Sequence, residues 1–463
     1  MKSFQFLYTV GGLSLVGAHT LPLRVRSSDA TSRITATEFG SVFDAPVTIG
    51  GQTFQMLVDT GSSDTYVMRD GFTCINPKTN LTVSQTECQY ANHTYHESST
   101  YREIPGEIFG IQYGAGIASG VMAYEDVAIN GITLKNQKVA IANVSHPMGD
   151  GVNSGLLGLA YPSITSAHPE DKNDNTTFYY NRLPYDPLLF SAWKQGLTDS
   201  YFSIALARTP RNTSIGFGGY LTIGGLPPVK HSSQFAVVPV EIIDVVPLSF
   251  TSGKRVRSYW ATTFGATFYG SSGKSLESNT TSFQGFFDIG NELSYVPQEV
   301  ADAVNSRFSP PAVFDSKLKA YRVNCAAKPA HFGLKIGNQT FFHEPEDLIY
   351  KTGDGCVSAV SSSQNVAVEG ITIQIIGASF LKSILSVYDV GKNEMRFAKL
   401  YDVPKQGGNG TVPSLPPSSS GFPSSSPSPS SSTPPLSNAG SLMTSNGLLS
   451  LFAVLGFAFH GEF

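Results

Sequence analysis

Two stretches of the chain follow one pattern. Residues 54–67 read F-Q-M-L-V-D-T-G-S-S-D-T-Y-V, and residues 283–296 read F-Q-G-F-F-D-I-G-N-E-L-S-Y-V. Both fit F-Q-x-x-x-D-x-G-x-x-x-x-Y-V. Each ends an apolar run on one carboxylate, Asp59 or Asp288, with Gly61 or Gly290 two positions on. A glycine there permits a tight turn and lets another backbone come close. Two such half-sites around one water can do acid–base chemistry. Like charges that close cannot both ionise, so the pair shares a proton, and one carboxyl is then base while the other is acid.

Strands must hold these half-sites. Each is followed after a similar gap by a second echo, Leu156-Leu157-Gly158-Leu159 and Ile375-Ile376-Gly377-Ala378, so the chain reads as two related lobes with one Asp each. Short β-type runs broken by Gly, Pro and Asn dominate: 47–49, 54–58, 121–129, 139–142, 202–206 and 371–376. A helical period holds only over 186–195, with Asp186 as N-cap and Pro187 at the first helical position, and over 298–307. Between the ends roughly 360 residues remain, too many for one core and enough for two lobes. The expected fold is mainly β and bilobal, residues 41–210 and 211–403, with a cleft between the lobes.

D-T-G-S-S after an apolar strand, with a second D-x-G in the other half, resembles the pepsin-like aspartic proteases. Further marks agree in order. Tyr95–Tyr101 resembles the stretch before the family's flap, and Tyr113-Gly114-Ala115-Gly116 the flap itself. After these come 155–159, 221–225, Tyr259-Trp260, Phe380-Leu381 and Tyr388-Asp389. The resemblance implies peptide hydrolysis by water between Asp59 and Asp288, with Tyr113 capping the cleft. It implies that Ser62 and Asn291 donate to the outer carboxylate oxygens and that Thr60 bonds across the lobe interface. Tyr66 stands where the family has a Trp that supports the flap tyrosine, and still offers a hydroxyl. One departure stands out: Ile289 occupies the place of a second Thr or Ser and cannot make its cross-lobe bond. Two functions follow as alternatives, an acid endopeptidase or a weak or inactive relative that binds peptide or cell-wall polymer.

Charged residues are 14% of the chain and net charge is −4, against roughly 25% charged in ordinary soluble domains. No basic surface for nucleic acid is implied. N-x-S/T acceptors at Asn80, Asn92, Asn143, Asn175, Asn212, Asn279, Asn338 and Asn409 fit a glycosylated, secreted protein. Residues 1–18 read as a signal peptide, and 19–40 as a leader or short propeptide that either covers the cleft or is disordered. Residues 404–438 form a Ser/Pro-rich stalk. Residues 439–463 read as a GPI-attachment signal, with Ser437, Asn438 or Ala439 as the attachment residue. The apolar tail has about 12 positions where a spanning helix needs about 20. This layout resembles the cell-surface, yapsin-like aspartic proteases of fungi.

Four cysteines in a secreted chain allow three pairings. Cys74 and Cys88 lie in one lobe, Cys325 and Cys356 in the other, which favours pairing within lobes, and the second pair resembles the family's own disulfide. No CxxC occurs and the histidines do not cluster near the cysteines, so no metal is expected. The chemistry calls for no cofactor. The expected partners are a peptide or protein substrate and a membrane through the GPI anchor, and the chain reads as a monomer.

Overall fold

The computed structural model describes residues 30–401, apart from 173–177, 179, 211–212, 353–354 and 367–371. The signal peptide, residues 19–29, the stalk and the GPI signal, with Ser437, Asn438 and Ala439, lie outside the described residues, as do Asn175, Asn212 and Asn409.

The first lobe carries β1 (Thr31–Thr37), β2 (Val42–Ile49), β3 (Gln52–Asp59), β4 (Thr65–Asn76), β5 (Leu81–Val83), β6 (Arg102–Gln112), β7 (Ile117–Ile129), β8 (Ile132–Ser145), β9 (Gly155–Gly158) and β10 (Ala167–Pro169). Alternation decides which face is buried: in β3 Phe54, Met56 and Val58 point into the core while Gln55 and Leu57 are half-buried. The second lobe has its own eight-stranded and four-stranded sheets. Between the lobes lies a platform to which both halves of the chain contribute. It runs β1, Gly216–Ile223, Tyr201–Leu206, Ile384–Asp389, Glu394–Lys399 and Ala236–Pro239, all antiparallel.

Two expectations need correction here. The stretch 31–37, read as leader, is β1, which pairs with β2 and with Gly216–Ile223. Burial alternates through its middle, with Ile34 and Ala36 buried, Thr35 half-buried and Arg33 exposed. The lobe boundary at 210/211 falls inside a hairpin of the shared platform, so neither lobe alone owns it.

The helices α1 (Leu188–Lys194) and α2 (Gln298–Asn305) lie where the sequence placed them. Pro187 rather than Asp186 is the N-cap of α1, and Asp186 instead pairs with Lys194 at 2.6 Å. The strand expected at 371–376 is Gln374–Gly377. Both disulfides close within a lobe, Cys74–Cys88 and Cys325–Cys356. Trp260 is fully buried at the junction, against Tyr161, Tyr388 and Phe202 at centroid separations of 4.9, 5.1 and 5.7 Å. Its Nε1–H donates to the Leu159 carbonyl at 2.9 Å.

Candidate active site

The two echoes noted in the sequence explain how each Asp is presented. Asp59 ends β3 and lies beside Gly158 of β9 in a parallel pair. Asp288 ends Phe283–Asp288 and lies beside Gly377 in the same way. Each carboxyl then rests over the glycine of the opposite loop. A Cβ on Gly61 would lie 2.5 Å from Asp288 Oδ2, and one on Gly290 would lie 2.6 Å from Asp59 Oδ1. No side chain fits at either place, so these glycines allow the carboxyls to meet.

The hydrogen bonds around the pair are unequal. Asp59 Oδ1 accepts from Gly61 N–H at 2.7 Å, and Oδ2 from the Ser62 hydroxyl at 2.5 Å. Asp288 Oδ1 accepts from Gly290 N–H at 2.9 Å, but its buried Oδ2 has no partner among the described residues. The bond expected from Asn291 is not formed, and Asn291 Oδ1 is also without a partner. An amide nitrogen sits one bond farther from Cβ than a hydroxyl, so a position that suits Ser does not bring it to the same oxygen. The Asn291 loop is pinned through its main chain instead: the carbonyls of Asn291 and Glu292 accept from Ala378 and Ser379 N–H at 2.7 and 3.1 Å.

This asymmetry decides the proton. Burial raises the Asp59 carboxyl, and Ser62 and the Gly61 N–H pull it back. Burial and then the charge of Asp59 hold Asp288 well above the ordinary carboxylate range. Burial and the unequal donors thus favour the shared proton on Asp288 and the charge on Asp59, the two titrating as one coupled pair.

Thr60 Oγ1 donates to the Phe287 carbonyl at 3.1 Å and accepts from Ile289 N–H at 3.0 Å. Tyr113 opens the hairpin turn between β6 and β7, its N–H bonded to Gly116 C=O at 2.7 Å. Its ring is buried and its hydroxyl has no described partner. Among the described residues Tyr66 makes no hydrogen bond to Tyr113; its hydroxyl faces Tyr90, which bonds Ser145 at 3.0 Å. Of the glycosylation acceptors, Asn80, Asn92, Asn143 and Asn338 are exposed and Asn279 is half-buried.

A pocket beside the dyad has apolar walls from Leu57, Tyr113, Met148 and Leu156, and includes Glu38 and Asp150. Asp150 is held by Thr37 Oγ1 at 2.5 Å and by the N–H groups of Val152 and Asn153 at 2.9 and 2.8 Å. Near it Asp44 is fully buried, and burial and then the Asp150 charge push its carboxyl well up, with Asn153 pulling the other way. Sequence reading missed all three acids, which come from separate segments and form no motif.

The profile described as "Eukaryotic aspartyl protease" matches residues 43–400. An Aspergillus fumigatus protein named as a probable aspartic-type endopeptidase is 37% identical over 368 residues, 78% of this chain and 79% of that protein. Penicillopepsin-1 of Penicillium janthinellum is 28% identical over 378 residues, 80% of this chain and 98% of that protein. The crystal structure of the aspartic proteinase from Irpex lacteus superposes with a TM-score of 0.59 at 21% identity, covering 80% and 97% of the two chains, which speaks to the fold. With more than half its length matched, the chain belongs to the eukaryotic aspartyl protease family and is an aspartic-type endopeptidase.

Proposed function

We propose that the protein is a secreted, cell-surface endopeptidase working at acidic pH through water held between Asp59 and Asp288. The observation that carries the reading is the placement of each carboxyl over the opposite loop's glycine, with one donor-rich and one donor-poor partner. Asp59 takes a proton from the water as its oxygen attacks the peptide carbonyl. Asp288 gives its proton to the carbonyl oxygen, forming a tetrahedral diol without a covalent enzyme bond. In collapse Asp59 protonates the leaving nitrogen, the C–N bond breaks, and Asp288 takes back a hydroxyl proton. The starting state is restored. The Tyr113 hydroxyl lies near Ser62, where it can turn to the bound peptide, and its ring shields the site from water.

The location rests on the sequence: the signal peptide, the Ser/Pro stalk and the GPI signal with Ser437, Asn438 or Ala439. A rival reading, peptide or wall-polymer binding with little hydrolysis, draws on Ile289 and on the missing donor to Asp288. Cleavage of a peptide library between about pH 3 and 5, blocked by pepstatin, is the expected result. Pepstatin binding without any cleavage would favour the rival. Truncation after Gly440 is expected to release active enzyme into the medium, and retention on cells would overturn the anchor.

A further inference from the structure

Arg182 is 5% exposed and stands where three parts of the chain meet. Its guanidinium donates to Ile164 C=O at 2.8 Å, Ser166 Oγ at 3.1 Å and Phe178 C=O at 3.3 Å. Ser166 is itself a junction. Its N–H donates to Asp64 Oδ1 at 2.9 Å, and its carbonyl accepts from Gly110 N–H in β6, the strand that leads to Tyr113, at 3.2 Å. The next residues, β10, pair with β6 in register, Ala167 beside Phe109 and His168 beside Ile108. From the connection that leads into the second lobe, the Phe250 ring covers the guanidinium at 4.0 Å, and Ser252 Oγ donates to the Arg182 carbonyl at 3.1 Å.

Asp64 gives this junction its charge. It follows the D-T-G-S-S turn, and its main-chain carbonyl accepts from Gly158 N–H at 3.0 Å. Its carboxyl is fully buried: Oδ1 takes Ser166 N–H and the Tyr185 hydroxyl, the latter at 2.7 Å, and Oδ2 has no described partner. A carboxylate at that depth is costly unless a cation acts on it. Burial raises the Asp64 carboxyl, while the Ser166 N–H, the Tyr185 hydroxyl and then the charge of Arg182 favour its ionised form.

We propose that Arg182 is a positioning residue for peptide cleavage. It joins the 248–254 loop to the flap strand and, through Ser166, which Asp64 also holds, to the loop carrying Asp59. The assignment rests on the protease reading above. Arg182 touches neither carboxyl of the dyad, so its effect is on how well flap and cleft receive the peptide.

The full-chain protein carrying Arg182→Gln, Asp64→Asn, both together, or Phe250→Ala is assayed for kcat, KM, pepstatin affinity and Tm. Arg182→Gln is expected to raise KM and weaken pepstatin by about tenfold or more, with a smaller fall in kcat. Asp64→Asn alone stays within about threefold of wild type, and the double variant recovers most of the loss, because the buried charge that needed Arg182 is gone. Phe250→Ala, which leaves Arg182 and Asp64 in place, moves KM in the same direction. An unchanged KM in Arg182→Gln overturns the assignment, as does a double variant no better than the single. If Arg182→Gln does not fold, recovery of folding and KM in the double variant supports the assignment, and failure of both overturns it. A wild type that cleaves no peptide removes the protease reading and the assignment with it. A wild type that cleaves while Arg182→Gln keeps its KM removes only the assignment.

Discussion

Thr60 and Ile289 meet across the lobe interface, and one hydroxyl serves both loops. Thr60 Oγ1 accepts from Ile289 N–H at 3.0 Å and donates to the Phe287 carbonyl at 3.1 Å. Ile289 returns no side-chain bond. It is 1% exposed and joins the apolar core that runs through both lobes. The interface has therefore repacked around a branched apolar chain. Ile289→Thr is expected to lower stability by roughly 1–3 kcal/mol by burying a hydroxyl in that core. Thr60→Val leaves a buried N–H and a buried carbonyl unpaired and costs at least as much. Thermal melts and turnover decide it, and an Ile289→Thr protein that melts higher and turns over faster would refute repacking.

The unequal hydrogen bonding of the dyad predicts opposite pH effects. Asp59→Asn and Asp288→Asn are each expected to cut kcat by more than about 100-fold with the fold intact. Ser62→Ala removes a donor that favours ionised Asp59, so the acid limb of kcat/KM moves to higher pH. Asn291→Ser places a hydroxyl within reach of Asp288 Oδ2, favours its ionised form, and moves the alkaline limb to lower pH. Ser62→Ala moving the alkaline limb up, with Asn291→Ser moving the acid limb down, would exchange the acid and base assignments.

The acids of the pocket beside the dyad predict a preference in the substrate. Leu57, Met148 and Leu156 suit an aliphatic stem, and Asp150, held by three donors, suits a cation at its end. A peptide with lysine or arginine in this pocket is expected to be cleaved faster than its leucine counterpart, by roughly tenfold at low salt. Asp150→Asn removes the difference while leaving the leucine peptide unchanged. Equal rates for both peptides with the wild type would show that the acids serve structure alone.

Glu292 links stability to pH. Burial pushes its carboxyl up to about 7 although Lys382 lies 3.1 Å away. Unfolded, it titrates near 4.5. Between these values the folded protein keeps a proton that the unfolded chain has lost. Stability from this group is thus complete below about pH 4.5 and lost as pH rises through about 7, by at most roughly 3.4 kcal/mol at about 1.36 kcal/mol per unit. Urea unfolding at both pH values checks it: Glu292→Gln is expected to flatten the decline, and an unchanged slope would place the loss elsewhere.

The paired motifs, the two glycines and the mainly β character were legible in the sequence because they are local. An apolar run, a turn glycine and a carboxylate lie within a few residues of each other, and alternation reports a buried face directly. The disulfide pairing was legible too, since each pair closes a short loop within its own lobe. Strand β1 was not, because Thr31–Thr37 is held by partners that include Gly216–Ile223, nearly two hundred residues away, and its own residues read equally well as leader. The proton on Asp288 depends on where the Asn291 amide lies and on what surrounds each carboxyl oxygen, and these are distances between loops far apart in sequence. Asp44 with Asp150, and Arg182 with Asp64, are likewise electrostatic pairs made by folding. A charge interacts through space and burial, and residue order records neither.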